Sequence, residues 1–165
     1  MIKITVDEVK RICNLHDIDR VEILESKFVI TNALLKGVVR KRYYMQVVKE
    51  NADELVKSAF YTGFSYFLYA ECIELLNTNT AGSGIIASTG YADSRIELLS
   101  TEESFQKRNN LEYKAYTVLK DYLNEAGLKR YKELKLWDDM RRAGDSEAKQ
   151  RLLNTSNRRL RGAII

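Results

Sequence analysis

No proline occurs among the 165 residues. Proline breaks helix interiors and stiffens loops, so a chain of this length without it reads as mainly long helices. Histidine is nearly missing too. The single one, His16, has Asp17 and Asp19 beside it near an expected helix boundary. One imidazole with no second His nearby makes a weak metal site, and it reads as a surface residue at a helix end. Cysteine is limited to Cys13 and Cys72, far apart and at no metal-ligand spacing. Both read as small apolar residues in a reducing compartment, with a disulfide between them left open.

No apolar run reaches the ~20 residues that a membrane span needs. The longest, Ala59 to Ala70, is interrupted by Thr62, Ser65 and several tyrosines. Met1-Ile2-Lys3-Ile4-Thr5 has neither the basic region nor the apolar core of a signal peptide, so a cytoplasm-like environment is expected.

Catalytic frames are missing as well. The glycines around Gly82-Ser83-Gly84 have no following Lys-Ser/Thr, which excludes a phosphate loop, and they do not form the G-x-S-x-G nucleophile elbow. Glu102-Glu103 and Asp138-Asp139 are adjacent in sequence, so on a helix they point different ways. Glu71 and Glu74 share a helical face, and on a helix this aromatic they read equally well as partners for arginines at an interface. No base, nucleophile and oxyanion site come together, so neither an enzyme nor a cofactor is expected.

What is present suits one domain with a self-sufficient core: 45% of residues are hydrophobic and 30% charged. The net charge of +4 is uneven. Residues 127–165 hold 11 Lys/Arg and 5 Asp/Glu, a net of +6; the remaining 16 basic and 18 acidic residues leave residues 1–126 at −2. A basic end of this kind usually meets something acidic, whether nucleic acid or a protein groove.

Along the chain, Thr5-Val6-Asp7-Glu8 is a capping box that opens a first helix ending near Asn14. A second helix is expected from about Asp19 to Leu35, with Val21, Leu24, Phe28 and Leu35 at helical spacing, Ile23, Ile30 and Ala33 nearby, and Gly37 just past its end. A third, Val38 to Lys49, begins with Arg40-Lys41-Arg42 beside Tyr43 and Tyr44. Such residues could track phosphates, but a solvated face beside a core face explains them equally, and that reading is preferred. A fourth helix, about Asn51 to Leu76, is apolar and aromatic over a wide face and must be central to the core or covered by another subunit, with Gly63 allowing close approach. Residues Asn77 to Leu98 break the pattern with short polar residues, glycines and the β-like run Gly84-Ile85-Ile86-Ala87, which suggests a hairpin or flap. Ser100 caps a fifth helix expected to end at Ala126-Gly127, and a shorter amphipathic stretch, Leu128 to Met140, carries the only tryptophan. The last segment, Arg141 to Ile165, is too poor in apolar residues to pack alone. The expected fold is therefore all-α: a bundle of about five helices over 1–140, a flap at 77–98 and a basic tail at 141–165.

The order of these elements over residues 17–125 carries a resemblance. Glu25-Ser26-Lys27 lies in a helix running to Leu35-Lys36-Gly37, and a tyrosine-bearing helix follows. Next come Phe64-Ser65-Tyr66-Phe67-Leu68-Tyr69-Ala70, then Thr78-Asn79-Thr80-Ala81-Gly82-Ser83-Gly84-Ile85-Ile86, then a Ser-capped helix ending Leu119-Lys120-Asp121-Tyr122-Leu123. This pattern, about two-thirds of the chain, resembles the head–tail connector (adaptor or ring) proteins of tailed bacteriophages, in a branch common in phages of Bacteroides-type hosts. The resemblance implies a virion protein, made in the host cytoplasm, that forms a homo-oligomeric ring, usually twelve-fold. That ring sits under the portal protein, extends the DNA channel and docks the next tail or stopper component. Non-specific contact with genomic DNA in the channel is implied as well, and no membrane. By the same resemblance, the flap would contact neighbouring subunits through Ile85, Ile86, Tyr91 and Arg95. The tail would reach the portal through Arg151, Leu152, Leu153, Arg158, Arg159, Leu160, Arg161, Ile164 and Ile165. The basic tail is longer than that branch usually carries, so it could serve another partner. The rival reading is a small nucleic-acid-binding protein of phage origin, using Arg40-Lys41-Arg42 and the C-terminal arginines on phosphates.

Overall fold

Thr5 opens the first helix as its sequence predicts. Its hydroxyl accepts from the Glu8 amide at 3.2 Å, and the Glu8 carboxylate accepts from the Thr5 amide at 2.9 Å. The computed structural model describes residues 1–15, 21–78 and 101–142. They form six α-helices: α1 (Val6–Cys13), α2 (Val21–Val38), α3 (Lys41–Val48), α4 (Glu54–Thr78), α5 (Thr101–Val118) and α6 (Glu125–Arg142), with a 3-10 turn at Lys120–Tyr122. Among the described residues there is no strand, only one antiparallel bridge between Val39 and Leu123. The chain is all-α over this part.

Helix α4 is the centre of the bundle. Phe60, Phe64, Phe67, Leu68, Cys72 and Ile73 are each 1% exposed or less, and Tyr61, Tyr66 and Tyr69 pack half-buried along its flanks. Of the two expectations for this helix, the core explains its apolar face. Phe28 of α2 meets Phe64 edge-on at 5.3 Å, while the Cys72 thiol donates to the Ile23 carbonyl at 3.7 Å. These pairs run in opposite senses, so α2 and α4 are antiparallel. Likewise Tyr116 of α5 meets Phe67 at 5.0 Å and Arg108 meets Glu71, which sets α5 antiparallel to α4. Gly63 lets the two approach: a Cβ there would lie 2.7 Å from the Leu119 Cγ. The short link from Val118 to Glu125 then returns α6 along α5, with Tyr113 and Tyr131 stacked at 6.0 Å. α6 also packs against α2, closing a four-helix ring of antiparallel neighbours.

The N-terminal segment is fixed by a residue on α2 that periodicity alone does not single out. Asn32, 4% exposed, accepts from the Ile2 amide at 3.0 Å and the Tyr44 hydroxyl at 3.4 Å, and donates to the Phe28 carbonyl at 3.1 Å. One amide thus ties the chain start, α2 and α3, and Ile2 becomes a core residue at 2% exposure.

Two linkers are laced together at one end of the bundle. The Arg40 amide donates to the Tyr122 carbonyl at 2.9 Å, and the Asn124 amide donates to the Val38 carbonyl at 3.0 Å. The Asn124 side chain accepts from the Gly127 amide at 2.9 Å, as a helix N-cap does, and donates to the Gly37 carbonyl at 2.7 Å.

Several expected boundaries move. The fifth helix stops at Val118 rather than near Glu125, because Leu119 and the 3-10 turn redirect the chain into the bridge. Gly127 does not end a helix but sits in the first turn of α6, where only a glycine fits against the Val38 carbonyl. The stretch expected from Leu128 to Met140 is a full sixth helix that takes in Arg141 and Arg142. Gly37 lies inside the last turn of α2 rather than beyond it, and α3 starts at Lys41. Residues 77 and 78, expected to open the flap, are the last of α4. The hairpin expected over the rest of 77–98, the Ser100 cap, and the tail beyond Arg142 lie outside the described residues, as does His16.

Candidate interaction surfaces

The polar clusters of the bundle are matched internally. Arg108 reaches Glu71 at 2.9 Å and Glu112 at 3.3 Å; Arg130 reaches Glu112 at 2.9 Å and Glu133 at 3.5 Å. The result is an alternating chain of acid and base across α4, α5 and α6, with Glu112 shared by two guanidinium groups. Glu71 takes an arginine partner, but inside its own bundle rather than at an interface with another protein. Such partly exposed pairs orient helices more than they stabilise them. A second cluster closes the end of α6. The Asp138 carboxylate, 3% exposed, accepts from Arg141 at 2.9 Å and Arg142 at 2.7 Å. Both arginines also sit where the negative end of the helix favours cations.

The thiols are not reactive centres. Burial pushes both Cys13 and Cys72 up to about 12, so each stays protonated near neutral pH. They are free rather than paired with one another. Among the described residues no group of three His, Cys, Asp or Glu is placed to hold a metal ion, and no helix is long and apolar enough to cross a membrane.

The basic cluster Arg40-Lys41-Arg42 is exposed, as a solvated face would be. Arg40 Nε donates to the Leu123 carbonyl at 3.0 Å, and the Arg42 guanidinium lies 4.5 Å from the Tyr43 ring centre. No side chain caps α3, and its first turn holds no acid, so cations crowd the positive end of the helix.

The apolar surface left over lies on α2, not α4. Val29 is 68% exposed and Ile30 51%, and Ala33 is exposed beside them. At 3.6 residues per turn, Val29 and Ala33 lie roughly 120–180° around the helix from buried Leu24 and Leu35. Helix α2 is therefore apolar on two faces, and among the described residues only one is used. Period counting misses this, because a second apolar face looks like a wider first one. The signal lay in the wheel position of residues 29, 30 and 33. Leu55 on α4 and Phe105 on α5 are also exposed, each near the start of its helix and so at opposite ends of the antiparallel pair, and single apolar residues of that kind are ordinary.

Other expected contact residues fall outside the described part: Ile85, Ile86, Tyr91 and Arg95 of the flap, and Arg151, Leu152, Leu153, Arg158, Arg159, Leu160, Arg161, Ile164 and Ile165 of the tail. Compared with protein-family models, with curated proteins and with solved structures, the chain matches none of them.

Proposed function

We propose that this chain is a structural assembly protein: a connector subunit that forms a homo-oligomeric ring, twelve-fold in the family it resembles. The ring joins a phage portal to the tail and extends the DNA channel. The observation that carries the assembly part is the exposed apolar stripe of α2 on a bundle whose own core is already filled by α4. Surfaces of that kind on a closed bundle mark contact with other proteins. The ring, the portal and the place in the virion neck rest on the resemblance in element order.

In this reading the flap within residues 77–98 makes the head-to-tail contacts that close a ring, through Ile85, Ile86, Tyr91 and Arg95. The tail reaches the portal, with Ile164 and Ile165 lodging in a groove and Arg158, Arg159 and Arg161 making charge-assisted contacts. Burying each isoleucine contributes on the order of 1.5–3 kcal/mol. A tail that orders only on its partner makes assembly conditional on the partner's presence. The test is capture of the full-length chain, and of a chain lacking residues 157–165, by the portal protein. Loss of capture on truncation supports the reading; equal capture by both refutes the role of the tail, and capture of neither refutes the connector itself.

A second reading is favoured by one observation, the uncompensated cations Arg40, Lys41 and Arg42 at the start of α3. They suit a phosphate backbone. DNA affinity that falls steeply with salt, and weakens when these three are replaced by glutamine, would support that reading.

A further inference from the structure

Three features of the exposed face of α2 belong together. The first is the apolar centre, Val29, Ile30 and Ala33, which is exposed and covered by none of the described residues. The second is Gly37, one turn beyond Ala33 on the same face. A glycine inside a helix is disfavoured by about 1 kcal/mol relative to alanine, so it normally has a packing or conformational reason. Neither is present among the described residues: a Cβ at Gly37 would meet nothing within 4 Å, its backbone is not in the left-handed region, and the Asn124 side chain on its carbonyl would bind any residue there. The open space beside it suits close approach of a second helix backbone. The third is the order of charge along the face. Glu22 and Glu25, both exposed, precede the apolar centre; Lys36, also exposed, follows it.

That order is self-complementary in one direction only. A parallel pair of α2 helices would set Glu22 and Glu25 against their own copies. An antiparallel pair with its two-fold axis level with residue 31 sets Val29 against Ala33 of the second copy. In the same register Glu25 lies beside Lys36 and Gly37 of the second copy. Each contact occurs twice, as a two-fold interface requires.

We propose that the exposed face of α2 is a self-association surface, occupied by α2 of a second copy of this chain in antiparallel register. The contact is isologous, so it closes at two copies and leaves the head-to-tail contacts of a ring to other parts of the chain. A single helix pair buries less than the roughly 1,200 Å² of a stable interface, so the dimer is weak and forms in the micromolar range or above. Its charged rim is solvent-exposed and is weakened by salt.

The test is the mass of the full-length protein by sedimentation velocity across a concentration series. A monomer–dimer equilibrium is expected. Val29→Lys places two like charges near the two-fold axis and should raise the dissociation constant at least about tenfold. Glu25→Lys and Lys36→Glu should each weaken the dimer, and the two together should recover it, because the reversed pair is again complementary. All these positions are exposed, and far-UV circular dichroism checks that the helices persist. A monomer at every concentration overturns the proposal, and so does a dimer indifferent to Val29→Lys. A species larger than two that responds to Val29→Lys also overturns the two-fold register, while strengthening the ring reading; portal capture tests that reading independently.

Discussion

Alanine in place of Gly127 and alanine in place of Gly37 should change stability in opposite directions, although both glycines are helical. In a helix interior Gly→Ala gains up to about 1 kcal/mol, from propensity and a less mobile unfolded chain. Gly37 has open space, so Gly37→Ala should keep most of that gain. At Gly127 the added Cβ would strike the Val38 carbonyl oxygen and lie 3.0 Å from Leu123 Cδ2. That oxygen cannot retreat easily, since it accepts from the Asn124 amide at 3.0 Å beside the Val39–Leu123 bridge. Overpacking of this kind costs about 1–3 kcal/mol, and a loosened hydrogen bond about 1 kcal/mol more. After the propensity gain, Gly127→Ala should destabilise by about 2 kcal/mol. For a chain of this size that lowers Tm by roughly 4–8 °C, whereas Gly37→Ala raises it by roughly 1–4 °C. Thermal melts by circular dichroism in dilute solution, below any self-association, measure both. A neutral or stabilising Gly127→Ala would refute the close approach of α6 to the α2–α3 linker. In concentrated solution Gly37→Ala should still weaken self-association, because the new methyl holds the helices apart.

Thr31→Val should raise stability by about 1 kcal/mol, since the wholly buried Thr31 hydroxyl has no hydrogen-bond partner and Val has the same shape; a loss above that amount in urea unfolding would show that the hydroxyl is in fact satisfied. Asn32→Ala should cost about 1–3 kcal/mol and leave the Ile2 amide unpaired, so hydrogen exchange over the first few residues should quicken while α4 stays protected. Alkaline pH should destabilise the fold. Burial raises Cys13 and Cys72 from 9.0 and Tyr116 from 10.0, each to about 12, so between these values the folded chain holds protons the unfolded chain has lost. Stability is then full below about pH 9 and falls as pH rises towards 12, and urea midpoints across that range should decline rather than stay level. In the same vein, a thiol reagent at mildly alkaline pH should label both cysteines far more slowly in the folded chain than in urea.

Much of the fold was legible in local pattern. The capping box at Thr5 and Glu8, the apolar periodicity of α2 and α4, and the absence of proline depend on neighbours a few residues apart, and α1, α2 and α4 follow from them. Helix ends around the bridge were not legible, because Gly37 and Gly127 resemble helix terminators in sequence. Their roles come from a carbonyl and an asparagine some 85 residues away: Asn124 caps α6 and binds the Gly37 carbonyl at once. The candidate surface shows the same division. The sequence by itself determined that α4 is too apolar to be solvated and that the charge is concentrated near the C-terminus. Only the tertiary structure decided that α4 fills the core, that Glu71 is matched by Arg108, and that Val29, Ile30 and Ala33 face outward. The physical reason is that hydrophobicity states what a side chain avoids, whereas which of two apolar faces escapes water depends on where the other helices lie.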